Sequence, residues 1–169
     1  MVVRNLCVAE LSSWLLRQDC SWHKVTFFIE GRRSLPFCVM SKHVKNTMNF
    51  TSQHIYGNEF RRHKRQLRRL VVPGGNLGVG IFNHFHLLVE QPLHLPPWEL
   101  QDALTRGWNV FASRGLQQHF GDVTKFKPSV WMQPLSGSPD AYLTYITRFE
   151  GADLSAGTEK IDWAATHLN

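Results

Sequence analysis

The stretch Asn83-His84-Phe85-His86-Leu87-Leu88-Val89-Glu90 begins with an alternation of polar and apolar side chains. Because successive side chains of a strand point to opposite faces, we expect His84 and His86 on one face and Phe85 in the core. Imidazole binds divalent cations readily, and two imidazoles at positions i and i+2 of a stiff strand form half of a metal site. The simpler interpretation is a half-buried strand whose histidines lie on its solvated face.

The sequence before this strand predicts a helix, a strand and a hairpin. Apolar residues recur at helical spacing over 8–16, and the segment 22–29 is rich in β-branched and aromatic residues. The residues Pro73-Gly74-Gly75-Asn76 have the chemistry of a turn. They therefore predict a hairpin that leads into the histidine strand over 78–90.

Two helical regions are predicted on either side of that hairpin. The region 41–70 has Ser41 as a candidate N-cap and an interruption near Gly57, which indicates one broken helix or two helices. A second helix is expected to begin at Pro97, a residue that suits the first turn, and to end before Gly115.

The remaining sequence completes a single domain over 1–169. The segment 123–135 has extended character, and 141–149 is a last run of apolar residues at helical spacing. The segment 151–169 is polar and is expected to be a loosely packed tail. These elements predict an α+β fold in which helices flank a central antiparallel sheet that carries the histidine pair.

The charge of the chain favours an acidic partner. The formal net charge is +6 and the sequence pI is about 9.6, a balance typical of proteins that bind nucleic acid or anionic surfaces. Much of the charge lies in one segment, which we predict to bind DNA. Its Lys and Arg residues are Arg61, Arg62, Lys64, Arg65, Arg68 and Arg69.

The cysteines and the N-terminus bear on the compartment. The chain has three cysteines, and the spacing of Cys7, Cys20 and Cys38 forms no C-x-x-C pair. An odd number without such spacing indicates neither a disulfide framework nor a zinc knuckle. The N-terminal segment lacks the sustained apolar run of a signal peptide or a membrane span. We therefore expect a cytoplasmic protein with no membrane partner.

A second group of candidate catalytic residues lies in the last helical run. A helix places Tyr145 and Arg148 on neighbouring positions at i and i+3. A phenol has a typical pKa of about 10, so attack on phosphorus requires a nearby positive charge or an activated electrophile. The alternative is a helix with buried aromatic residues and a surface arginine.

Together these motifs resemble the HUH endonuclease superfamily. His84-Phe85-His86 on a strand is followed by Tyr145-Ile146-Thr147-Arg148 on a helix, and Val25-Thr26-Phe27-Phe28 precedes both. This order is similar to that of the single-tyrosine replication initiators, and it covers roughly the segment from Trp22 to Phe149. The resemblance implies a palm of the ferredoxin or RRM type and the rolling-circle initiator class of protein.

The resemblance also implies a reaction. His84 and His86 would hold Mg²⁺ or Mn²⁺, which polarises the scissile phosphate, and Tyr145 would attack to leave a 5′-phosphotyrosine and a free 3′-hydroxyl. Arg148 would orient the phosphate or offset charge in the transition state. The substrate would be single-stranded or hairpin DNA, with unwinding supplied by a helicase in trans because the chain has no nucleotide-binding P-loop motif.

This sequence departs from the usual superfamily motif in two places. The superfamily motif usually has lysine where Arg148 stands, and arginine does not readily give up a proton. Relatives often take a third metal ligand from the strand before the histidines, but 70–76 contains no carboxylate. Glu150 is the expected third ligand, because related transposases use a residue just after the tyrosine. Other candidates are His54, Glu59 and Glu30, whereas Glu90 shares the face of His86 but would lie about 13 Å away along a straight strand.

Of the two tyrosines, Tyr145 has the better-placed cation, whereas Tyr142 is either a second catalytic tyrosine or a core residue.

Three interpretations of function stay open at this stage, and the first is a replication initiator that nicks DNA through Tyr145. The stretch from Asn83 to Val89 also looks much like the N-H-x-H-L-L-V of REP-associated and insertion-sequence tyrosine transposases, which share the chemistry. An alternative from another class is a module that binds single-stranded DNA without cleaving it.

Overall fold

The computed structural model describes residues 8–30, 35–76, 81–121, 124, 127–147, 161–162 and 164–168. The helices and strands are α1 (Val8–Leu16), β1 (Ser21–Glu30), α2 (Phe37–Tyr56), α3 (Asn58–His63), β2 (Arg69–Asn76), β3 (Ile81–Gln91), α4 (Pro97–Phe120), β4 (Lys127–Pro134) and α5 (Pro139–Thr147). The predicted α+β class with an antiparallel sheet is confirmed. Among the described helices, none is both long enough and apolar enough to cross a lipid bilayer.

The sheet has four strands in the order β2-β3-β1-β4, and each neighbouring pair is antiparallel. The predicted hairpin is therefore present as β2 and β3. The predicted turn residues are placed differently, because Gly74 is still paired with His84 inside the sheet and the register shifts only after it. The residues Pro73-Gly74-Gly75-Asn76, which were predicted to form the turn, instead form the irregular end of β2.

Each face of the sheet has its own apolar cluster. On one face α2 and α4 pack against a cluster that includes Phe27, Phe85 and Trp108. On the other face α1 and α5 pack against Leu70, Val72 and Leu88 among others. The period of two along β3 explains this division, since Phe85 and Leu88 lie three residues apart and point to opposite faces. The histidine pair shares the second face.

Three helix boundaries differ from the predictions, and the first is that the helical region expected over 41–70 ends at His63, because residues from Arg69 onward form β2. α2 begins at Phe37, directly after Pro36, and Ser41 lies inside it, where its hydroxyl donates a hydrogen bond to Asp162. α4 continues past Gly115 to Phe120. Gly115 is buried, and the ring of His43 lies in the space that a Cβ at position 115 would occupy. The glycine therefore serves close packing between α2 and α4 rather than ending the helix.

The C-terminal segment also differs from its prediction. Ile161 and Ala165 are buried, and a bridge joins His167 to Arg69. The amide of Asp162 donates to the carbonyl of Val71, so this segment lies along the outer edge of β2. The expectation of a loosely packed tail is wrong for 161–162 and 164–168, because unpaired backbone groups at a sheet edge favour pairing. The other residues of 151–169 lie outside the described part of the chain.

The buried side chain of Arg69 holds the C-terminal segment against β2. Its side chain is 2% exposed, and burial lowers its pKa to about 10. The guanidinium donates to the carbonyl oxygens of Ala165 (2.8 Å) and Leu67 (3.3 Å) and to Oδ1 of Asn49 (3.3 Å). It therefore connects the C-terminal segment, β2 and α2.

We predict that Arg69→Ala lowers the free energy of unfolding by about 3 kcal/mol, because three elements lose their shared donor and buried acceptors are left unsatisfied. The exposed Arg61→Ala should change it by less than about 0.5 kcal/mol. Urea denaturation of both variants measures the difference. Equal effects of the two substitutions would contradict a structural role for Arg69.

Two buried histidines predict a dependence of stability on pH. Burial lowers the pKa of His23 and of His43 from the ordinary value of 6.5. The unfolded chain then binds more protons than the folded chain between the lowered pKa values and 6.5, so stability is complete above this window and falls as pH decreases through it. We expect each histidine to contribute a slope of up to about 1.4 kcal/mol per pH unit there. His23→Leu should reduce the slope measured by urea denaturation between pH 7 and 5, and an unchanged slope would refute this origin.

Candidate active site

The histidine pair lies on β3 as the alternation predicts. His84 and His86 are half-buried, and their ring centroids are 4.9 Å apart with the planes nearly perpendicular. Two imidazoles at this separation on one strand can contribute to a single cation site. The structure therefore brings together the first two predicted ligands.

Thr26 orients one of these rings. It is paired with His86 across β1 and β3, and its Oγ1 lies 3.3 Å from Nδ1 of His86. The Thr26 hydroxyl can accept a hydrogen bond from a protonated Nδ1, and in that tautomer Nε2 is the candidate ligand atom. Nε2 of His86 is therefore the atom suited to bind a cation.

Gly74 positions the other ring. It is paired with His84 across β2 and β3, and the imidazole lies so close to its Cα that any Cβ would overlap Nε2 and Cδ2. The absence of a side chain at this position provides the space that the ring of His84 occupies. A carboxylate ligand at this point of β2 is excluded by the same geometry.

Tyr145 lies next to the pair. α5 packs on this face through Leu143 and Ile146, and the Tyr145 ring centroid is 5.6 Å from that of His86. The Tyr145 side chain stays accessible because the residue is 64% exposed. An exposed phenol beside a candidate cation site is a suitable nucleophile for an incoming electrophile.

Tyr142 is placed differently, although it lies one turn away from Tyr145. It packs against the buried cluster of this face, and its hydroxyl donates to the carbonyl of Leu87 at 3.5 Å. Burial, together with the neighbouring Tyr145, raises the pKa of its phenol. A buried phenol whose ionisation is disfavoured is a poor nucleophile, so the structure favours the core role for Tyr142.

The third ligand is not identified among the described residues. Arg148 and Glu150 lie outside them, and no group of three His, Cys, Asp or Glu side chains in the described ranges is arranged to hold one ion. Glu90 shares the face of His86 but lies about 13 Å along the strand. Its carboxylate instead accepts hydrogen bonds from Arg68 and Tyr56.

The other candidate ligands are bound elsewhere. His54 contacts Arg106 at the α2 and α4 surface, and Glu59 forms a salt bridge with Arg65. Glu30 shares the sheet face of Thr26, but its Oε1 accepts a hydrogen bond from Ser129 on β4. Two imidazoles occupy only two positions of a bound cation, so further positions would be filled by other ligands, water or phosphate oxygens.

The basic segment divides into two parts. Arg61, Arg62 and Lys64 are exposed on and just after α3, where they can contact phosphates. Arg68 instead pairs with Glu90 at 2.7 Å, and Arg69 is buried. The prediction that Arg68 and Arg69 bind DNA is therefore corrected, because the start of β2 draws both side chains into the structure.

Arg65 is intermediate between these groups. It forms an exposed salt bridge with Glu59 at 2.6 Å, and its guanidinium lies 4.7 Å from the ring centroid of Tyr56. Exposed pairs of this kind contribute little and exchange readily with solvent. Arg65 thus keeps a guanidinium that a phosphate can reach.

Sequence reasoning missed three residues of this site, namely Lys24, Thr26 as a partner of His86, and Gly74. The Nζ of Lys24 lies 5.6 Å from the ring centroid of Tyr142, so it supplies positive charge on the same sheet face. The period of two along β1 would have placed Lys24 and Thr26 on one face. The position of Gly74 could not be read from the sequence, because Pro73-Gly74-Gly75-Asn76 has turn chemistry.

Comparison with known proteins adds no family assignment. No family model matches the chain, and no curated protein matches it. The arrangement of His84, His86 and Tyr145 and the motif resemblance are therefore the observations that bear on function.

We predict that Gly74→Ala weakens Mn²⁺ binding by about 10- to 100-fold, because the methyl group displaces the ring of His84. Mn²⁺ affinity can be followed by electron paramagnetic resonance, with urea denaturation as the control for folding. The double variant Gly74→Ala/His84→Ala should bind no more weakly than His84→Ala, since both changes remove the same ligand. Unchanged Mn²⁺ affinity in Gly74→Ala would contradict the positioning role.

Proposed function

We propose that this protein is a metal-dependent endonuclease of the HUH type that nicks and rejoins single-stranded DNA through a 5′-phosphotyrosine. The observation that carries the proposal is the placement of the exposed Tyr145 ring 5.6 Å from that of His86, on the face that also holds His84. These residues come from a strand and a helix far apart in sequence. Their convergence is what the resemblance requires and what a solvated histidine strand alone would not require.

Tyr145 and the two histidines would have different roles in the reaction. The oxygen of Tyr145 attacks phosphorus, the bond from phosphorus to the 3′ oxygen breaks, and the phenol proton passes to solvent while the 3′ oxygen takes up a proton. His84 and His86 would hold Mg²⁺ or Mn²⁺, which supplies Lewis-acid polarisation of a phosphate oxygen. Attack by the freed 3′-hydroxyl on the phosphotyrosine reverses the step and rejoins the strand.

Lys24 contributes positive charge near the proposed nucleophile. It lies over the ring of Tyr142, whose own ring centroid is 6.4 Å from that of Tyr145. A cation at this place favours the approach of a phosphate. Arg148 is proposed to add to this charge and Glu150 to complete the metal site.

The exposed basic residues are proposed to bind DNA away from the cleaved phosphate. β2 starts beside Val89 and reaches His84 at Gly74, so the segment with Arg61, Arg62 and Lys64 joins the sheet about 16 Å from His84. These side chains would contact phosphates of a flanking strand or hairpin stem and strengthen binding in a salt-dependent way.

The biological role proposed for this chemistry is initiation of replication of a plasmid or phage-like element, in the cytoplasm and with a helicase supplied in trans. A tyrosine transposase of the REP-associated or insertion-sequence type would use the same residues. A module that only binds single-stranded DNA is a second candidate, favoured by the absence of a third metal ligand among the described residues. Salt-sensitive binding without cleavage of any tested sequence would support that candidate.

We predict that Tyr145→Phe loses the covalent adduct with single-stranded DNA by a factor of about 1,000 or more, as removal of a nucleophile does. Tyr142→Phe should keep most of it, because that hydroxyl is committed to the carbonyl of Leu87. The adduct is measured by denaturing electrophoresis after incubation with a random single-stranded library and Mn²⁺. Persistence of the adduct in Tyr145→Phe, or its loss only in Tyr142→Phe, would refute the assignment.

A further inference from the structure

The outer strand β4 presents a large aromatic side chain to solvent. Trp131 is 46% exposed in the middle of the strand, whereas its neighbours Val130 and Met132 pack against the core shared with α4. A half-exposed indole in the middle of an outer strand keeps part of its flat aromatic face accessible for contact with a ligand.

Trp131 lies in the same cross-strand row as the candidate active site. It is paired with Thr26 of β1, and Thr26 is paired with His86 of β3. Paired residues share a sheet face, and two strand spacings separate Trp131 from His86 by about 10 Å. The indole is thus a close neighbour of the site where Tyr145 contacts His86.

The adjoining rows place polar groups around the indole. Lys24 is paired with Gln133 on one side of this row, and Phe28 is paired with Ser129 on the other. The apolar cluster beneath α1 and α5 includes Leu70, Val72 and Leu88 and reaches β1 at Trp22, but none of its described residues belongs to β4. The half of the sheet formed by β1 and β4 therefore combines a flat aromatic surface, an amide and an ammonium group.

We propose that Trp131 stacks on an unpaired nucleobase of the strand whose phosphate is bound at His84, His86 and Tyr145. This inference rests on the proposed function and adds a base-binding position to it. Every base offers a π-face to an indole, and the ammonium group of Lys24 can contact the phosphate that links this base to the next. The formal net charge of +6 favours a nucleic acid over a second copy of this equally basic chain.

The test separates stacking from electrostatic attraction. The probes are a thymidine oligomer and an abasic oligomer of the same length, which keeps the phosphates and lacks the bases. In the Tyr145→Phe background, Trp131→Ala should weaken binding of the thymidine oligomer by about 5- to 150-fold and leave binding of the abasic oligomer unchanged. Trp131→Phe should recover part of the loss because phenylalanine keeps an aromatic face.

Trp98→Ala is the matched control. Trp98 is 67% exposed on α4, the helix that packs on the opposite face of the sheet. Trp98→Ala should therefore change the affinity for neither the thymidine oligomer nor the abasic oligomer. Equal weakening of both oligomers by Trp131→Ala, no weakening of either, or no measurable binding of the thymidine oligomer would overturn the proposal. A shift in oligomeric state of Trp131→Ala by light scattering would also overturn it, because the indole would then serve a second copy of the chain.

The same measurements distinguish this proposal from the nuclease proposal. Base-dependent binding through Trp131, together with a wild-type protein that never forms an adduct, would retain the stacking position and reject the cleavage chemistry. Adduct formation that is indifferent to Trp131, together with unchanged oligomer affinities, would retain the chemistry and reject the stacking position.

Discussion

The alternation of side chains along β3 is the constraint on which the rest of the structure depends. β3 lies inside the sheet with β2 on one side and β1 on the other, so its register is fixed twice. One set of its side chains, including Phe85, completes the core beneath α2 and α4, and the other set carries His84 and His86. A slip by one residue would bury both imidazoles and expose the phenylalanine, so the core itself maintains the site.

The two ends of this face serve different purposes. At one end Glu90 accepts hydrogen bonds from Arg68 and Tyr56, which stabilises the junction between α2, β2 and β3. The pKa of the Tyr56 phenol is raised to about 12, first by burial and then by this carboxylate, so the phenol stays a donor. At the other end the imidazoles of His84 and His86 are accompanied by hydroxyl and backbone groups. The charge of Glu90 is therefore neutralised at one end of this face, and the proposed cation site lies at the other end.

How much could be predicted from the sequence depends on how local each determinant is. The shared face of His84 and His86 follows from a period of two and was predictable. The contact of Tyr145 with His86 depends on where α5 docks, which no spacing in the sequence reveals, and only the motif resemblance indicated it. The burial of Arg69 was hidden because a run of basic residues looks uniformly solvated. Its fate is decided by the alternation along β2 and by the distant C-terminal segment that accepts its hydrogen bonds.

We propose that the histidine pair and Tyr145 form one cation-dependent site. Nuclear magnetic resonance of protein labelled in its histidine and tyrosine rings, titrated with Mn²⁺, tests this claim directly, because a bound paramagnetic ion broadens nearby signals first. The expected result is early loss of the His84, His86 and Tyr145 ring signals while those of the buried His43 persist. Broadening centred on other rings, or uniform broadening without a preferred site, would contradict it.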